Sequence, residues 1–142
     1  MQPSHLDPRD PTAWLVRARS NLARARAGRA TPDVLFEDLC FDAQQAAEKA
    51  LKAVLVKLRV AFPQTHAIAV LIGLIESVGI AVPTALAEAA DLTDYAVSTR
   101  YPGASEVLDE EEYLCAVAIA ERVVRWAEER IRAGSDNPPS SR

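Results

Sequence analysis

The 142 residues suffice for one domain with a single core, and 49% apolar with 25% charged residues exclude a disordered chain. A formal net charge of -4 speaks against general affinity for nucleic acid, while few Gly and only 6% aromatics favour helices over sheets. The N-terminus lacks a charged stretch followed by an apolar run, and the most apolar window, 67–82, is broken by Gly73, Glu76 and Gly79. The chain therefore reads as cytoplasmic, with no membrane span.

Residues 1–9 read as a disordered N-terminal segment. Asp10-Pro11 then supplies an N-cap with Pro in first position, and Gly28 supplies a stop, so a first helix is expected over about 12–27. Leu15, Ala18, Leu22 and Ala25 form its apolar stripe. Thr31-Pro32 repeats the start signal. No Gly or Pro follows before Pro63, so a second helix of about 32–60 is expected, about 40 Å long. Phe36, Cys40, Ala43, Ala47, Ala50, Val54 and Leu58 line one side, widened by Leu35, Leu39, Ala46, Leu51 and Leu55, which places this helix at the centre of the fold.

Thr65 caps a third helix, about 66–78, with Ile68, Leu71, Ile72 and Ile75 inward and Gly79 after its end. Pro83 opens a fourth, about 83–98, with Leu86, Ala89 or Ala90, Thr93 and Val97 on one face. A loop of roughly ten residues around Pro102-Gly103 follows, long enough for a compact bundle to suggest function. Asp109 with Glu112 spells a capping box for a fifth helix, about 109–133. Glu121–Arg125 and Glu128–Arg132 are expected to pair along it, and Gly134 to stop it. The tail 134–142 is polar, Pro-rich and expected to be disordered. These signals predict one all-α domain over 10–133, an up-and-down antiparallel bundle of four to five helices.

Cys40 and Cys115 lie in apolar helical runs and read as buried free thiols. Two Cys with His5 and His66 far apart give no metal-ligand spacing, and Asp91 with Asp94 read as a solvated face, so no metal and no cofactor are expected. Charge is segregated. Residues 9–30 hold six Arg against one acid, whereas 76–112 hold nine acids against one base, Arg100. The Arg residues spread around the first helix rather than forming one RNA-binding stripe.

Three motifs carry a family resemblance. Residues 40–53, Cys-Phe-Asp-Ala-Gln-Gln-Ala-Ala-Glu-Lys-Ala-Leu-Lys-Ala, resemble the second-helix signature of prokaryotic HEPN domains. Pro63-Gln64-Thr65-His66 with Leu71 resembles the step into their third helix, and Tyr95 with Thr99-Arg100-Tyr101-Pro102 resembles their Y-x4-R-Y-P segment. Trp14 and Ala18 match the start, so the resemblance spans about 10–133. It implies a dimerising helical bundle, frequently paired with a minimal nucleotidyltransferase, sometimes as a toxin–antitoxin pair. It also exposes a departure. HEPN ribonucleases place a His four to six residues after an Arg, but Arg100 is followed by Tyr-Pro-Gly-Ala-Ser-Glu, and no His occurs beyond His66. The acid/base of RNA cleavage is missing there. Asp42 also stands where many relatives carry His.

The candidate site is therefore a binding site, with no catalytic residue assigned. Gln44, Gln45, Glu48, Lys49 and Lys52 cluster on the polar side of the second helix, where the lysines can hold phosphates and the amides a base or sugar. A solvated Glu48–Lys52 surface pair is the plainer alternative. Arg100 and Tyr101 suit a phosphate contact with base stacking, or an ion pair to Asp94, Glu106 or Glu48 that pins the loop. His66 suits a nucleotide contact, or a neutral ring bonded to a neighbouring helix. The expected function is a homodimeric, nucleotide- or partner-binding regulatory module. The rivals are an RNA-cleaving toxin using Arg100 with Glu106 or His66, and a purely structural partner protein.

Overall fold

The computed structural model describes residues 7–94 and 108–136. Within them lie α1 (Pro11–Ala27), α2 (Phe36–Leu58), α3 (Ile68–Ser77), a 3-10 helix (Thr84–Thr93) and α4 (Glu110–Asp136), with no strand among the described residues. The fold is an all-α bundle. Among the described residues, no helix is long and apolar enough to cross a membrane. Of the two segments expected to be disordered, 1–6 and 137–142 lie outside the described residues.

α1 starts as spelled. The Asp10 carboxylate accepts the Thr12 backbone N–H at 2.9 Å, and Pro11 opens the helix. Gly28 ends it at φ 75°, a conformation that strains L side chains. Residues 7–9 form a turn ahead of the helix: the Asp10 N–H donates to the Asp7 carbonyl at 3.0 Å, and the Trp14 indole N–H donates to the Pro8 carbonyl at 2.8 Å.

α2 begins at Phe36, not at Pro32. Thr31 closes a turn instead, its hydroxyl accepting the Asp33 N–H and its carbonyl the Val34 N–H, both at 3.1 Å. A Thr–Pro pair marks a local break, and side-chain-to-backbone bonds of this kind compete with helix initiation. The 23 residues of α2 span about 34 Å. Arg59 closes it in the left-handed region at φ 61°, and the Val60 N–H reaches back to the Leu55 carbonyl at 2.9 Å.

α2 is the central rod: it packs against every other element, whereas α1 packs only against α2 and α4. Ala43, Ala46, Ala47, Ala50 and Ala53 are wholly buried, and their small side chains let neighbouring helices approach closely. Leu51, Leu55, Leu71, Ile75, Leu92 and Val123 fill the space between. α1 runs antiparallel to both long neighbours. Trp14 lies beside Lys52 and Arg24 beside Asp42, while Arg19 and Arg26 pair with Glu128 and Glu121 of α4, each at 2.5 Å.

Those last two pairs replace the expected Glu121–Arg125 and Glu128–Arg132 contacts. Arg19 and Arg26 are seven residues apart, as are Glu121 and Glu128, so two helical turns on α1 match two on α4. The buried Tyr113 hydroxyl adds a hydrogen bond to the Ala25 carbonyl. The capping box closes as read: the Glu112 N–H donates to the Asp109 carboxylate at 2.8 Å, and the Asp109 N–H to the Glu112 carboxylate at 3.2 Å. α4 continues through Gly134 to Asp136, because one Gly weakens a long helix without terminating it.

The fourth element is a 3-10 helix. Leu86, Ala89 and Leu92 face inward at intervals of three, the 3-10 period, in place of the α-helical face expected from Leu86 to Val97. Val97 lies outside the described residues. α3 starts at Ile68, whose N–H donates to the Thr93 hydroxyl at 3.1 Å, while the Thr65 hydroxyl accepts the Ala67 N–H at 2.9 Å. Cys40 is buried, and burial, with Glu112 and Glu37 nearby, pushes its thiol up to about 12. Cys115 is exposed, contrary to expectation, because it falls off the buried stripe of Tyr113, Ala116, Val117 and Ala120.

Two substitutions rank these contributions. Leu51→Ala is expected to cost about 2–5 kcal/mol through a cavity in the central rod. Asp109→Ala is expected to cost about 1 kcal/mol through one lost cap. Urea unfolding measures both, and a larger loss for the cap variant contradicts this account of α2.

Candidate functional site

The polar strip of α2 is largely folded inward. Gln44 is fully buried, Glu48 is 3% exposed and Lys52 is 8% exposed, while Gln45 and Lys49 are half-buried. Such groups persist inside a bundle only when each is paired. Among the described residues, no buried side-chain nitrogen or oxygen lacks a partner.

Glu48 is the hub. Its Oε1 accepts the Gln44 amide at 2.8 Å and the His66 Nδ1 at 2.9 Å, with the Gln45 amide at 3.4 Å. Its Oε2 accepts the Lys52 ammonium at 2.8 Å. Gln45 also donates to Gln44 Oε1 at 2.7 Å, so the buried amide is satisfied at both ends. Gln44, Glu48 and Lys52 are four residues apart and stack along one face of a single helix. The Lys52 ammonium also lies 5.8 Å from the Trp14 ring centre and 5.6 Å from that of Phe62, and these two rings meet edge to face at 6.0 Å. α1 and the segment before α3 thereby close over the Glu48–Lys52 pair.

Burial alone pushes the Glu48 carboxyl up. The hydrogen bonds from Lys52, His66 and Gln44, with the Lys52 charge, outweigh it and hold the group below the ordinary glutamate range. Glu48 is therefore ionised at neutral pH and can only accept, so the His66 Nδ1 must carry a proton. In the neutral ring Nε2 is then a bare acceptor. The His66 side chain is 56% exposed, and among the described residues Nε2 has no hydrogen-bond partner.

A second string crosses the seam between α1 and α2. The half-buried Lys49 ammonium donates to Asn21 Oδ1 at 2.9 Å, the Asn21 amide donates to Asp42 Oδ1 at 3.0 Å, and the Arg24 guanidinium meets the same oxygen at 3.1 Å. Asn21 and Asp42 are buried. Burial lowers the Lys49 ammonium, Glu48 and Asp42 oppose that, and the charges of Arg17 and Arg24 reinforce it.

Of the residues singled out in the sequence, Gln45, Glu48, Lys52 and His66 meet in the first network, and Lys49 joins the second. Arg100 and Tyr101 lie outside the described residues. Asn21, Arg24, Asp42, Trp14 and Phe62 were not singled out as site residues. Asn21 and Asp42 do carry a signal, since each interrupts an otherwise apolar stripe, next to Leu22 and Ala43 respectively. Among the described residues no group of three or more His, Cys, Asp or Glu side chains gathers to hold a metal ion.

Two outcomes follow from the hub. Glu48→Leu strands a buried ammonium and is expected to cost about 3–5 kcal/mol, whereas Glu48→Leu with Lys52→Met recovers most of that loss. A chemical denaturation cycle of the four proteins tests it, and an additive double variant contradicts the pairing. Because the folded-state pKa of Glu48 is depressed, its contribution is fully present above its unfolded value and is lost as pH falls through the ordinary glutamate range and then through the lower native value. The stability gap between wild type and Glu48→Gln is expected to narrow over that acid window, and a gap unchanged by acid rules this out.

The comparisons with known proteins agree with this architecture. The family model for the HEPN domain matches residues 12–131. A crystal structure of ST0689, an archaeal HEPN homologue, shares the fold at TM-score 0.70 and 24% identity, covering 86% of this chain and 98% of its own. A crystal structure of TT1696 from Thermus thermophilus also reaches TM-score 0.70, at 32% identity, covering 84% of this chain and 97% of its own. No curated protein matches the chain. With the family model spanning nearly the whole helical bundle, this chain belongs to the HEPN domain family.

Proposed function

We propose that this HEPN domain is a homodimeric nucleotide-binding regulatory module without ribonuclease activity, and that it partners a minimal nucleotidyltransferase in a toxin–antitoxin-type pair. The observation that carries the reading is the segment after Arg100. Positions 104–106 are Ala, Ser and Glu, where a HEPN ribonuclease needs its His. Without that imidazole no proton acceptor of suitable pKa stands at the expected place. Family membership supports the partnership, and the α1–α2 seam, with Lys49, Arg24 and the exposed His66 ring nearby, supports binding of an anionic ligand.

One observation favours a second reading, RNA cleavage by a different acid/base. Glu48 fixes the His66 tautomer through Nδ1 on a ring whose side chain is 56% exposed, a carboxylate–imidazole arrangement that suits a general base. The two readings separate in one set of assays. Under the first, wild type, Arg100→Ala and His66→Ala leave short RNA substrates at the buffer background, while calorimetry with ATP or GTP gives a saturable heat. Cleavage that disappears in His66→Ala establishes the second. No cleavage and no heat with either nucleotide leaves a structural partner protein.

A further inference from the structure

The six Arg of residues 9–30 have separate fates. Arg9 pairs with Asp7, Arg19 with Glu128 and Arg26 with Glu121, while Arg29 lies over the Phe36 ring and donates to the Pro32 carbonyl. Two remain toward α2. Arg24 touches Asp42 with one nitrogen and keeps 69% of its side chain exposed. Arg17 is exposed and makes no ion pair among the described residues. Arg17, Asn21 and Arg24 stand four and three residues apart, on one face of α1. Asn21 on that face bonds Asp42 and Lys49 of α2, so the two arginines flank the seam in which Lys49 lies.

Arg24 touches the Asp42 carboxylate directly and Asn21 links Lys49 to it, and that carboxylate is only 5% exposed. The seam presents positive charge outward on a chain whose net charge is -4. At Lys49 burial lowers the ammonium first; Glu48 and Asp42 raise it, while Arg17 and Arg24 lower it further. Asp42 and Asn21 hold Arg24 and Lys49 in place while leaving most of their N–H donors unused, the condition for a pre-organised anion site.

We propose that Arg17, Arg24 and Lys49 form a phosphate-binding seam between α1 and α2 that takes the polyphosphate of a nucleotide. Two planar guanidinium forks with an ammonium between them suit the several oxygens of a polyphosphate better than a single carboxylate. The proposal rests on the nucleotide-binding reading and deepens it by moving the phosphate contacts onto α1. The buried Lys52, turned to Glu48 and two aromatic rings, is not part of it.

The test is a titration of the full chain with ATP, inorganic tripolyphosphate and poly-glutamate, at low and high salt. Arg17→Gln is the decisive variant because it breaks no ion pair among the described residues and leaves the melting temperature in place. Arg24→Gln and Lys49→Gln accompany it, and Arg19→Gln, on the side of α1 that faces α4, is the control. Expected are ATP and tripolyphosphate binding that weakens with salt, about a tenfold loss of affinity in Arg17→Gln, and little change in Arg19→Gln. ATP binding that is equal in wild type and Arg17→Gln overturns the seam while leaving nucleotide binding intact. Absence of any ATP binding overturns both. Binding of poly-glutamate alone, lost in Arg17→Gln, overturns the phosphate assignment in favour of an acidic protein.

Discussion

An ionised carboxylate that is 3% exposed inside a helical bundle constrains everything packed around it. Glu48 meets that demand in two ways. Gln44 and Lys52 lie one turn before and one turn after it on α2, so their contacts form as soon as the helix does. His66 arrives from the segment before α3, and Trp14 with Phe62 closes over Lys52 from two other parts of the chain. The charge therefore dictates where the α2–α3 connection returns and how the start of α1 sits on α2.

The arginines of α1 show how a helix distributes one residue type between architecture and surface chemistry. Arg19 and Arg26 match the spacing of two glutamates on α4 and hold the two helices together from the edge of the core. Arg17 and Arg24, turned toward α2, flank a seam where one sheltered carboxylate leaves positive charge in excess. The basic composition of this stretch is thus no single patch. Part of it is consumed inside the fold, and the remainder is concentrated where α1 meets Lys49.

Legibility differs with the range of the signal. The Asp10 cap, Pro11, Gly28, the reciprocal Asp109–Glu112 box and the central place of α2 are all readable, because each depends on residues within about one turn or on a periodic stripe of apolar side chains. The start of α2 misleads because Thr31-Pro32 can open either a helix or a turn. The segment Thr84–Thr93 misleads because Leu86 and Ala89 satisfy both a 3.0 and a 3.6 period, and Leu92 decides between them only once packed. At the site, the polar cluster of α2 is visible in the sequence, but its burial is not, since Trp14 and Phe62 cover it from distant positions.

By itself, then, the amino-acid order determined the all-α class, the Asp10 cap, the Asp109–Glu112 box, the family motifs and the want of a His after Arg100. Those are covalent or near-neighbour properties that survive without knowledge of packing. Tertiary structure alone decided that Glu48 and Lys52 face inward, that Glu121 and Glu128 bind α1 rather than their own helix, and that Cys115 stays in solvent. A polar side chain on a helix has several partners within reach, and only the placement of neighbouring helices removes the water that would otherwise make them equivalent.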